Sequence, residues 1–285
     1  MLGKNQDQKV TENSSAIQAG GNVTVNNGLS FSEVRELCLL FLRDNFPALK
    51  EEAIKEAKSN VQEFAKKFEE KIIQNAEFIT LENFKDPDVQ AAINDAVQAS
   101  ARKGEKANTN ILVDLLSERV SSTSNDFMDI VISEAVNVAP KLTKEQISYL
   151  SLIHFMTSCS SDINNLIHLE VLSKNALQAC LAGFGISNSQ KLHIQYAGAC
   201  SIATMMQVNI YDGWMNKLYK GLGFTNLETF KSELAMLSPS TKLLLDEFDR
   251  DSKYGEVKLT SVGQAIAIAN LSNSIGRMNY STWLK

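Results

Sequence analysis

Few residues in this chain are of types and spacings that could do covalent or acid–base chemistry. Cys38, Cys159, Cys180 and Cys200, with His154, His168 and His193, are its only thiols and imidazoles. A nucleophile needs a base within hydrogen-bond reach. Two pairs approach that in sequence: Cys159 lies five residues after His154, and Cys200 seven after His193. Each pair could at most sit on neighbouring turns, and core or interfacial placement is the expected one. No C-x-x-C occurs and no metal-ligand spacing links the histidines to the cysteines, so the thiols read as buried and reduced. Carboxylates that could pair for hydrolysis occur at Asp126 and Asp129, and at Asp246, Asp249 and Asp251. They stand in segments that read as helix caps and solvated faces. There is no G-x-x-x-x-G-K-[ST] loop and no G-x-S-x-G turn, and Gly221-Leu-Gly223 is too short for a dinucleotide loop. No catalytic, metal-binding or cofactor-binding residue is therefore assigned, and the pattern favours a binding or scaffolding role over an enzymatic one.

One stretch, Asn188 to Ser201, gathers hydrogen-bonding groups beside glycine and alanine, where a ligand could approach the backbone. Ser189, His193, Gln195, Tyr196 and Ser201 are its candidate pocket residues. The competing reading is a polar packing layer satisfied internally. Its local structure is open at this stage. Leu192, Ile194 and Tyr196 alternate as in a strand, while Ala197 to Met206 fits either a buried strand or a closely packed small-residue helix.

The elements that would position such residues are mostly helices. The clearest signal runs from Ile17 to Leu49. Val23 and Val25 alternate with polar residues between Gly20-Gly21 and Asn26-Asn27-Gly28, which predicts a short β-hairpin. Ser30 and Glu33 then form a capping box, and Val34, Leu37, Cys38, Phe41 and Leu42 line one helix face. A hairpin this short and polar is marginal alone. It is expected either to fray or to pair with other copies through Ile17, Gln18, Val23, Thr24 and Val25, giving a homo-oligomer.

Further helices follow from apolar spacing, capping boxes and prolines: Pro47 to Gln74, Asp86-Pro87 to Gly104, Asn108 to Val120, Phe127 to Val138, one launched by Thr143 and Gln146, and Asn164 to Cys180. Trp214, Leu218 and Tyr219 resume a helix; Thr225 and Glu228 read as a capping box; and Ser238-Pro239 opens another helix. Glu256 to Leu259 reads as a short strand or extension before a small-residue helix from Ser261, and Trp283 is placed to dock the end of the chain. The fold class is thus mainly α: a multi-helix array with a short N-terminal β-hairpin and a few short strands in the C-terminal half. The expected division is a polar tail with the hairpin over 1–28, a helical domain over 29–140 and a second over 141–285.

Apolar content of 44% and charged content of 21% describe an ordinary globular protein. The net charge of −5 weighs against sequence-independent nucleic-acid or membrane binding, though it leaves room for a local basic patch. No signal segment and no membrane-length apolar run is seen, which makes the cytoplasm the expected compartment.

Several segments together resemble a widespread uncharacterised bacterial family: IQAGGNVTVNNGLSFSEVRELCLLFLRDNF, FKDPDVQAAINDAVQASARKG, AVNVAPKLTKEQISYLSLI and LTSVGQAIAIAN with a terminal STWLK. LVDLLSERV and SNSQKLHIQYAGACSI are similar to family segments too, while Gly183 to Ile186 and the region after Phe224 are shorter than the family pattern. The resemblance covers about Ser14 to Lys285 and brings no catalytic residue. It implies a bacterial, self-contained unit, and the N-terminal segment resembles those of bacterial conflict proteins. The leading expectation is a cytoplasmic, self-assembling scaffold or sensor with a protein partner, in a setting of bacterial stress or phage defence. The alternatives are a small-molecule or nucleotide sensor using Asn188–Ser201, and a winged-helix-like DNA binder over Ser238–Leu271.

Overall fold

A computed structural model describes residues 31–45, 51–121, 125–203, 209–250 and 256–284. Those residues form twelve α-helices and one two-stranded antiparallel sheet. The mainly α class and the short C-terminal strands are as expected. The hairpin and its residues Ile17, Gln18, Val23, Thr24 and Val25 lie outside the described residues.

The first helices follow their apolar faces. In α1 (Phe31–Asn45), Val34 and Cys38 are buried. In α2 (Glu51–Gln74), Ala57, Val61, Phe64, Phe68 and Ile72 form the buried stripe that three-and-four spacing requires. Lys67 pairs with Glu63 at 2.8 Å on its outer side. In α3 (Pro87–Lys103), Asp86 caps the start by accepting from the Asp88 N–H, and Gly104 ends the helix at a φ of 54°. The next two helices are α4 (Thr109–Arg119) and α5 (Asp126–Val138).

At the centre are α6 (Lys144–Ser158) and α12 (Ser261–Ile275), which pack on each other. Every residue of α6 from Gln146 to Met156 is buried. A helix apolar on all sides must be enclosed, and α12 is enclosed by α4, α5, α6 and α7 (Leu166–Cys180). Small residues make this close packing possible. A Cβ on Gly263 would fall on the Ala199 carbonyl oxygen, and one on Gly183 would fall on the Ser148–Tyr149 backbone. Because α12 contacts helices on both sides of residue 140, it spans the boundary expected between the two helical domains.

The ambiguous stretch resolves into two elements. Ser187 and Gln190 form a capping box that launches α8 (Asn188–Tyr196). The alternation of Leu192, Ile194 and Tyr196 therefore does not mark a strand: one capping box outweighs three alternating residues. After a turn, β1 (Cys200–Ile202) pairs antiparallel with β2 (Val257–Leu259), Ser201 opposite Lys258.

The remaining helices are α9 (Ile210–Gly213), which continues as a π-helical turn over Trp214–Leu218, then α10 (Leu227–Leu237) and α11 (Pro239–Arg250). The cap of α10 is Asn226, accepting from the Thr229 N–H, and not Thr225: the helix begins one residue later than its capping-box pattern suggested. The start of α11 is held from a distance, by Glu170 of α7 accepting from the Ser240 N–H at 2.9 Å and its hydroxyl at 2.7 Å. Trp283 docks the chain end, donating from its indole to the Ser158 carbonyl at 3.1 Å and meeting the His154 ring edge-on. No helix among the described residues is long and apolar enough to cross a membrane.

Candidate functional site

Helix α4 carries the clearest polar constellation, and its two ends are built differently. The C-terminal half buries Asp114, Ser117, Glu118 and Arg119. Asp114 is paired with Lys71 at 2.5 Å and accepts from the Tyr280 hydroxyl at 2.8 Å. Burial pushes the Asp114 carboxyl up, against the downward pull of Lys71 and Tyr280. Glu118 meets Arg277 at 3.3 Å, and Arg277 stacks over the Phe78 ring. Arg119 holds Asp88 at 2.9 Å and Asp129 at 3.0 Å, and its bond to Asp88 draws that carboxyl below its usual range. These groups satisfy one another and tie the C-terminal segment to the first helices.

The other end opens on a cleft of about 320 Å³, walled by the start of α4, by α6, and by the later turns of α7 and α12. Asn108 precedes α4 in the left-handed conformation, at φ 60° and ψ 48°. Asparagine tolerates this conformation better than most residues. Its side chain does not cap the helix. It turns away, donating to the carbonyls of Ala139 at 2.8 Å and Leu142 at 2.9 Å. The Thr109 hydroxyl donates to the Gly104 carbonyl at 3.3 Å. Opposite them, Asn270 donates to Ser151 and Ala179, and Asn273 to the Ala269 carbonyl, so their amide oxygens remain as acceptors. Ser148 also lines the cleft; it is 4% exposed, and its hydroxyl has no hydrogen-bond partner among the described residues.

The cleft adjoins a wider depression of about 860 Å³ that shares Glu105, Asn108 and Lys144 with it. Together they are lined by six cationic side chains against three carboxylates, in a chain whose net charge is −5. This is a local basic region on an acidic protein. Its donors and acceptors suit recognition of a polar molecule.

The residues singled out from sequence lie elsewhere. Ser189, His193 and Tyr196 share one face of α8 and are exposed, Tyr196 to 89%. Gln195 is exposed on another side of α8, and Ser201 is exposed on β1. The rings of His193 and Tyr196 are 6.4 Å apart, and His193 Nδ1 lies 3.1 Å from the buried Gln146 amide nitrogen. That amide also donates to the Gln190 carbonyl at 2.8 Å, fastening α8 to α6. The thiols are buried: burial pushes Cys38 and Cys159 up to about 12 and Cys200 to about 11, and raises Cys180 further. His154 is fully buried with neither ring nitrogen hydrogen-bonded, and burial lowers it to about 4. His154 packs against Trp283, so the His154/Cys159 pair belongs to the core. Sequence reasoning missed the cleft. Its available signal was Asn270 and Asn273, two amides at i, i+3 following the apolar run Ala265–Ala269.

No curated protein matches this chain. No solved structure matches it either. A family model of uncharacterised type matches residues 28–228 and 223–284, nearly the whole chain, and the protein therefore belongs to that uncharacterised family.

Proposed function

We propose that this protein is a non-enzymatic binding module, a helical sensor or scaffold that takes a small polar molecule in the cleft at the head of α4. The observation that carries this reading is Ser148, a residue only 4% exposed whose hydroxyl has no partner among the described residues, on the wall of a cleft otherwise lined by amides and charged groups. A ligand in the cleft would supply that hydroxyl with a partner. The four cysteines are buried and out of reach of a substrate, which supports binding over catalysis by a thiol.

Thermal unfolding of the full chain against nucleotides, sugar phosphates, neutral sugars and amino acids tests the reading. A ligand at 100 times its Kd stabilises by about 2.7 kcal/mol, so at least one class should raise the Tm saturably. The exposed residue Asn110 lines the cleft, and Asn110→Trp should abolish that shift without disturbing the core. A panel in which no class raises the Tm would remove the proposal.

Self-assembly through Ile17, Gln18, Val23, Thr24 and Val25, with a protein partner downstream, is a second proposal, supported by the strand alternation between two turn signals. A chain beginning at Leu29 should lose mass per particle in light scattering; unchanged mass would end it. The sequence resemblance suggests bacterial stress or phage defence as the setting. The DNA-binding alternative gains little, because α11 packs on α7 and α12 is enclosed by its neighbours.

A further inference from the structure

We infer that the ligand of this cleft is a phosphomonoester of a small polyhydroxylated molecule, its phosphate seated on the first turn of α4 and its hydroxyls turned to Asn270 and Asn273. This rests on the reading of the cleft as a ligand site. It adds the charge and the orientation of what binds there.

The first turn of any helix leaves backbone N–H groups without intrahelical partners, and these carry partial positive charge. A side-chain cap normally takes one of them. At α4 the cap residue Asn108 is spent on the Ala139 and Leu142 carbonyls, and the Thr109 hydroxyl on Gly104. The N–H groups of Thr109 and Asn110 thus have no hydrogen-bond acceptor among the described residues. Such a turn is a ready anion site. Ser148, 4% exposed and with a hydroxyl that has no hydrogen-bond partner among the described residues, lines the same cleft and is an independent sign of a ligand there. Lys144 lies on the wall common to the cleft and the basic depression, with Lys106 and Lys141 beyond it, so the anion is expected at that end. The far wall offers the opposite chemistry. The Nδ2 groups of Asn270 and Asn273 are already committed to the protein, which leaves their oxygens to accept from hydroxyls. Glu105 stands at the same end as Lys144, where its carboxylate disfavours a more highly charged ligand. A volume of about 320 Å³ suits one small molecule of this kind.

Isothermal titration of the full chain, in low-salt buffer free of phosphate, tests the assignment with ribose 5-phosphate, AMP, ribose and inorganic phosphate. One phosphomonoester should bind at least 30-fold more tightly than ribose and 10-fold more tightly than inorganic phosphate, with affinity falling as salt rises. Lys144→Glu should weaken it at least 10-fold, whereas Lys220→Glu, an exposed site that lines neither the cleft nor the depression, should leave it unchanged. Equal binding of inorganic phosphate and both esters, weakened alike by the two lysine variants, would mean adventitious anion binding and overturn the inference. If a neutral compound binds as tightly, and Asn110→Trp abolishes its binding, the cleft remains a ligand site and the phosphate assignment falls. If no compound binds in this titration or in the broader thermal panel, both readings fall.

Discussion

The two ends of α4 face the same physical demand and meet it in opposite ways. At the C-terminal end Asp114, Glu118 and Arg119 are nearly sealed from water, and Lys71, Tyr280, Arg277, Asp88 and Asp129 answer them within the chain. At the N-terminal end the capping side chain is drawn away, and among the described residues the first N–H groups and the Ser148 hydroxyl across the cleft have no partner. Both ends are polar, so polarity alone does not mark a site. Where the protein supplies every partner the residues hold the fold together; where it supplies half, they are set to receive something else.

This contrast can be broken most severely at the satisfied end. Asp114→Ala leaves Lys71 and the Tyr280 hydroxyl without their acceptor, and removing one partner of a buried pair costs about 3–5 kcal/mol. Urea denaturation should show a loss of that size. His154 sharpens the comparison as a third case, unpartnered but sealed in apolar surroundings. Its folded-state value is lowered from 6.5 to about 4, so the unfolded chain binds a proton first as pH falls. The stability conferred by the neutral ring is full above pH 6.5 and is lost progressively between about 6.5 and 4, about 3 kcal/mol in all. Denaturation across that range should show the loss, and His154→Phe should flatten it. Tyr280→Phe removes a single hydrogen bond to a buried carboxylate and should cost about 1.5–3 kcal/mol by the same assay. The open end should respond least: Ser148→Ala breaks no hydrogen bond among the described residues and should change stability by less than about 1 kcal/mol while weakening ligand binding. A loss at Ser148→Ala as large as at Asp114→Ala would erase the distinction.

Most helices were legible because their signals are local. The stripe of α2, the Asp86-Pro87 start of α3 and the Thr143/Gln146 box of α6 each lie within a few residues of sequence. The strand at Val257–Leu259 was legible as a short extended run; its partner Cys200–Ile202 read equally as strand or helix, because pairing 57 residues away leaves no local mark. The start of α11 shows the same limit, since Ser238-Pro239 announced it but Glu170, which holds it, comes from α7. The cleft was hidden for the same reason. Asn108, Ser148 and Asn270 come from three helical regions, and only the chain's return through α12 brings them together. The Asn188–Ser201 stretch drew notice because its polar residues are adjacent in sequence, yet α8 spreads them over an exposed surface.

Amide chemical-shift mapping of the full-length protein during titration with ribose 5-phosphate, repeated with AMP, tests the central claim most directly. The account predicts saturable shifts of the Thr109, Asn110 and Ile111 amides together with those of Asn270, Asn273 and Ser274, and none on α8. Shifts confined to α8, scattered over exposed lysines, or absent with both compounds would contradict it.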